Sequence, residues 1–86
     1  MDSPMGRNVL EVFHRNTDWH KLSTDECSEM CNTIKRIKSV DETFALAEDN
    51  TPKIIIAGSG MAAGGRVLTY FEKYLGDENA TILLVG

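Results

Sequence analysis

The run Pro52-Lys53-Ile54-Ile55-Ile56-Ala57-Gly58-Ser59-Gly60-Met61-Ala62-Ala63-Gly64-Gly65-Arg66-Val67 decides how the chain reads. Residues 53–58 (KIIIAG) form a β-branched run too short for a buried helix and bounded by Pro52 and Gly58. That is the pattern of a strand covered on both faces. Beyond the glycines, Val67, Leu68, Phe71 and Leu75 recur at helical spacing, with Gly76 as an expected left-handed cap. A glycine-rich turn between a parallel strand and a helix brings backbone N–H groups together at the positive end of the helix dipole, which suits a phosphate. Ser59 adds a hydroxyl there and Arg66 a guanidinium.

Working outward, residues 80–85 (ATILLV) read as a second apolar strand and residues 33–38 (TIKRIK) as a third. Between them, Ser39 and Glu42 have the spacing of a capping box, and Val40, Phe44 and Ala47 supply an apolar stripe until Asp49, Asn50, Thr51 and Pro52 end the helix. Two helices precede this part. Pro4 suits the first turn of one over 4–15, which Asp2 or Ser3 can cap, with Met5, Val9, Val12 and Phe13 on one side, and Ser23 with Glu26 opens another over 24–32. Trp19 and Leu22 are expected to fold back as an apolar lid.

The expected fold is therefore α/β: a three-layer, Rossmann-like parallel sheet of about three strands with flanking helices. Residues 1–86 form a single partial domain, two N-terminal helices followed by βαβαβ over 33–86. The last strand runs to Gly86 without a following turn, and parallel sheets need both faces covered, so the chain reads as a fragment of a larger domain.

Charge and composition narrow the classes. Nine basic and thirteen acidic side chains give 9 − 13 = −4, which argues against a domain that grips nucleic acid by bulk charge. Lys35, Arg36 and Lys38 form the one dense basic patch, a secondary candidate for anion contact whose ordinary reading is solvated surface. Cys27 and Cys31, four residues apart, lie on one helix face and read as buried thiols rather than a bridge or a zinc knuckle. With no membrane-length apolar run and no leader, the expected setting is intracellular: cytoplasmic, or nuclear in a eukaryote.

Familiar phosphate loops fit poorly. A Walker loop needs Lys then Ser or Thr after its last glycine, where Arg66 and Val67 stand here. Gly58, Gly60 and Gly64 give a G-x-G-x-x-x-G variant of the dinucleotide fingerprint, but the next strand ends in Val85-Gly86 rather than an acid.

The opening Met1-Asp2-Ser3-Pro4-Met5, the stretch from Asn8 to Arg15, Lys38-Ser39-Val40-Asp41-Glu42-Thr43, the S-G-M-x-x-G-G-R block behind its isoleucine run, and Ile82-Leu83-Leu84-Val85-Gly86 together resemble the β-CASP region of metallo-β-lactamase-fold RNA-processing nucleases. The likeness covers nearly the whole chain and is weakest from Thr17 to Asn32. It implies a zinc-dependent RNA hydrolase, an exonuclease or a cleavage-and-polyadenylation-factor-like enzyme, whose lactamase-like domain carries the metals and whose β-CASP region caps the RNA. The chain has no H-x-H-x-D-H motif, and its histidines, His14 and His20, match no ligand of that family.

The resemblance then implies a non-catalytic fragment of the cap. Ser59, Gly60, Met61, Gly64, Gly65, Arg66 and Ser3 are its candidate RNA-phosphate contacts, with no catalytic residue, no metal ligand and no cofactor in the fragment itself. Zinc belongs to the missing metallo-β-lactamase domain, the expected partner, alongside RNA bound weakly by the fragment; DNA and membrane are not expected. Two alternatives stand beside this reading: a small dinucleotide-binding domain using the same loop, and a docking module whose exposed sheet edge and Trp19 contact a partner domain.

Overall fold

A computed structural model of the chain describes residues 1–58 and 62–85. Among them, capping chemistry explains where three of the four α-helices begin. α1 (Pro4–Arg15) starts with Pro4 in its first turn and with Ser3 Oγ accepting the Gly6 N–H at 3.0 Å. α2 (Thr24–Thr33) opens on a reciprocal box: the Glu26 N–H donates to Ser23 Oγ at 3.2 Å, and the Ser23 N–H to the Glu26 carboxylate at 2.8 Å. α3 (Val40–Glu48) is capped by Ser39 Oγ, but the Glu42 carboxylate takes the Lys38 N–H at 3.0 Å, one residue ahead of the reciprocal position. Lys53 closes the far end of α3, its Nζ donating to the Leu46 carbonyl at 3.2 Å and to that of Asp49. α4 (Val67–Tyr74) follows Arg66 with no side-chain cap.

The expected parallel sheet does not form. No strand is present among the described residues, and the one β pairing is an isolated parallel bridge between Asp2 and Ala57. The chain is helical, not a three-layer α/β fold. The physical reason is pairing. A β-branched run becomes a strand only when its N–H and C=O groups find a ladder, and no backbone hydrogen bond joins the isoleucine run to residues 81–85. The two segments instead line a cleft of about 880 Å³ together with Val67, Tyr70, Phe71 and Tyr74 of α4.

What pairing exists runs through the first two residues. The Met1 amino group donates to the Lys35 carbonyl at 2.5 Å, the Ile37 N–H to the Met1 carbonyl at 3.0 Å, and the Asp2 N–H to the Ile56 carbonyl at 2.8 Å. Residues 35–37 and 56–57 are thus stitched to either side of Met1-Asp2, and Ile37 is buried there at 2% exposure.

α1 packs on α2 and α3 on α4. Cys27 and Cys31 fill the first contact, while Thr43, Ala47, Val67 and Tyr70 are buried on the facing sides of the second pair. The Tyr74 hydroxyl donates to the Ala47 carbonyl at 3.0 Å across the latter. The buried face of α3 is rotated from the apolar stripe expected for it, leaving Val40 and Phe44 more than half exposed. Trp19 is no lid: it ends a 3-10 turn (Thr17–Trp19) at 87% exposure, and His20 takes its expected place, stacked on Phe13 with ring centroids 3.8 Å apart. Gly76 does not adopt the left-handed conformation either; among the described residues the positive φ values belong to Ala62 and Gly65.

The surface left over is large. Accessible area is 6825 Å², against roughly 5,000 Å² for a folded monomer of this mass. The radius of gyration is 14.4 Å, against roughly 12 Å for a compact domain of this length.

Candidate functional site

Three distant parts of the chain converge on one carboxylate. Asp2, 2% exposed, stands just before α1 and accepts hydrogen bonds from Thr43 of α3, Arg66 before α4 and Tyr70 within α4. Thr43 Oγ1 and the Tyr70 hydroxyl donate to Oδ2 at 2.5 and 2.7 Å, and the Arg66 guanidinium to Oδ1 at 2.8 Å. Burial works against the charged carboxylate, but the three donors and the positive charge of Arg66 outweigh it and hold the group below its usual range. Burial, together with the bond to Asp2 and its negative charge, pushes the Tyr70 hydroxyl well up.

Chemically this hub is a lock. A carboxylate held ionised and saturated with donors is a poor general base, and a phenol pushed upward is a poor nucleophile. No buried side-chain N or O among the described residues lacks a hydrogen-bond partner.

The expected phosphate contacts fare unevenly. Ser59, Gly60 and Met61 lie outside the described residues. Arg66 donates to Asp2, Ser3 caps α1, and Gly64 and Gly65 sit in the turn before α4, where φ of +78° at Gly65 suits glycine. Gly58 approaches Ser3 so closely that a Cβ on it would stand 3.3 Å from the Ser3 hydroxyl. Lys35, Arg36 and Lys38 are exposed. The reading of the chain as an RNA-phosphate-binding fragment is overturned, because its cradle needs a strand entering the loop and the structure has none. The dinucleotide alternative needs the same sheet and fails with it.

Neither Asp2, expected as a helix cap, nor Thr43 and Tyr70 stand out in the sequence as site residues. Thr43 and Ala47 are buried at i, i+4, and Val67 and Tyr70 at i, i+3; that spacing was the available signal.

The described residues do not fit a hydrolytic metal centre: no histidine-and-carboxylate cluster occurs among them. One group of donors of another kind does occur, His14 with Cys27 and Cys31, their ligating atoms all within 4.8 Å of one another. No described helix is long and apolar enough to cross a membrane.

Comparison with known proteins places the chain among relatives. The Beta-Casp domain profile matches residues 1–86. The chain is 28% identical over its full length to Ribonuclease TTHA0252 of Thermus thermophilus, of which it covers 21%. It is 31% identical to Transcription termination factor FttA of Methanococcus maripaludis over 84% of its own length and 11% of that protein's. The chain thus spans about a fifth or less of these curated relatives. No solved structure matches it significantly.

Proposed function

The chain belongs to the Beta-Casp domain family, and from that premise we propose that it is a non-catalytic docking module within a larger RNA-processing protein of the ribonuclease type. Its partner in this reading is the metallo-β-lactamase-fold domain of such a protein, which would carry the zinc ions and the phosphodiester chemistry. The observation that carries the proposal is unpaired apolar surface. Ile54, Leu83 and Val85 are 92, 82 and 86% exposed, and Met5, Trp19 and Leu84 are exposed by more than 70%.

Magnitudes support a permanent contact. The excess of roughly 1,800 Å² over a closed monomer exceeds the roughly 800 Å² that each partner gives to a standard interface. Contiguous apolar patches of more than a few hundred Å² are rare on free-standing monomers. The share of the relatives left uncovered, 79% of the Thermus ribonuclease by difference from 100 and 21, is long enough to supply the opposing surface. Backbone groups of residues 53–57 and 80–85 that find no ladder here can find one in the assembled protein, where pairing and burial come together.

A chimera tests this. These 86 residues would replace the matching stretch of the Thermus ribonuclease, and the product would be assayed for RNA cleavage and for thermal melting. The expected result is a folded chimera that cleaves RNA and loses both properties with Ile54→Asp and Leu83→Asp together. A folded, active chimera indifferent to those substitutions would sink the docking reading.

A further inference from the structure

Two thiols and an imidazole meet where α1 packs on α2, and neither the Asp2 hub nor the docking face uses them. Cys27 and Cys31 are 0 and 7% exposed, and both are free. Their i, i+4 spacing puts them one turn apart on the inner face of α2, the arrangement by which a single helix offers two ligands to one metal ion. The third donor comes from the neighbouring helix: His14 lies in the last turn of α1 and is exposed.

The donor atoms all lie within 4.8 Å of one another. In a tetrahedral zinc site, with Zn–S of about 2.3 Å and Zn–N of about 2.0 Å, ligand atoms stand roughly 3.5–4 Å apart. Shifts of about an ångström would close the difference. The set holds no carboxylate, so a hard cation such as magnesium or calcium finds nothing to bind, whereas thiolate with imidazole suits zinc.

We propose that His14, Cys27 and Cys31 form a structural zinc site that clips α1 to α2, with the fourth position open to solvent on the His14 side. Binding exchanges two S–H bonds for two Zn–S bonds and releases two protons to solvent, while neutral His14 gives a nitrogen lone pair. Cysteines filling a core as small apolar side chains would explain the two thiols, but not an exposed imidazole within ligand distance of both. The site is distinct from the catalytic zinc of the proposed partner domain and does not depend on the docking reading. Its effect is mechanical, because metal held only by the folded state adds its binding free energy to folding.

Cobalt(II) is the probe. The reduced 86-residue chain titrated with cobalt should give thiolate-to-cobalt charge-transfer absorption saturating at one ion per chain and bleached by zinc. Since His14 is exposed, His14→Gln should keep the fold while weakening zinc affinity by at least about tenfold. Cys31→Ser should lower the charge-transfer intensity, and zinc should raise the melting temperature of the unsubstituted chain more than that of either variant. His20→Gln, which alters a ring stacked on Phe13 outside the donor set, should leave the affinity unchanged. Absence of the absorption at millimolar cobalt, or an affinity that His14→Gln leaves unaltered, would overturn the proposal.

Discussion

Asp2 is 2% exposed and Ile54 92%, the reverse of how a carboxylate and an isoleucine partition on their own. The region around Asp2 has everything a buried charge requires: an opposite charge in Arg66, two hydroxyl donors, and helices packed around it. The region around Ile54 has the apolar side chains but little to cover them: Ile54 and Ile56 are more than half exposed, and residues 53–57 and 80–85 line an open cleft. Burial follows from having neighbours, and the polar hub has them where the isoleucine run does not. The chain spans about a fifth or less of its curated relatives, and the exposed apolar run is the surface proposed above for docking.

The sharpest way to break this contrast is to remove the hub. Asp2→Ala strands Arg66, Tyr70 and Thr43 around an empty acceptor, and a loss of about 3 kcal/mol is expected, as for other part-buried ion pairs that lose one member. In a domain of this size that lowers the melting temperature by more than about 10 °C. A drop of only one or two degrees in a calorimetric scan would show that the hub does not hold α1, α3 and α4 together.

The same carboxylate sets a pH dependence. Its folded pKa lies below the unfolded one, so its contribution is fully present above about pH 4, the ordinary aspartate range, and is lost as pH falls through the folded value. Glu26 and Asp49, bonded to Ser23 and Thr51, are also held low. Asp2→Asn should therefore flatten the acid limb of a stability–pH curve without abolishing it. A limb of unchanged steepness would remove Asp2 as a contributor.

Smaller effects sharpen the comparison. Tyr70→Phe deletes one donor and keeps the ring, so roughly 1–1.5 kcal/mol should be lost in urea unfolding. Ser23→Ala breaks the reciprocal cap of α2, with about 1 kcal/mol expected by the same measurement. Smallest of all, Ile54→Asp in the isolated chain should change stability by less than about 0.5 kcal/mol, because the side chain touches little there. A large loss would mean that the isoleucine run is already packed in the free chain, and the contrast with Asp2 would disappear.

Helix starts were legible because their causes lie within three residues. Ser3 with Pro4, Ser23 with Glu26, and Ser39 with Glu42 each satisfy nearby backbone donors, and each opens a helix. The inward thiols of α2 were legible from their i, i+4 spacing as well. The sheet was misread because residues 53–58 and 80–85 carry the composition of strands, while pairing depends on a partner edge that composition does not contain.

By itself, then, the sequence determined the capped helix starts, the family likeness and the sites of its apolar runs, all of which rest on local hydrogen bonding or on residue order. Tertiary structure alone decided that Asp2 is the hub, since its donors come from 41, 64 and 68 residues away. It also left the isoleucine run without a ladder, because an extended backbone acquires hydrogen bonds only from another segment brought alongside it.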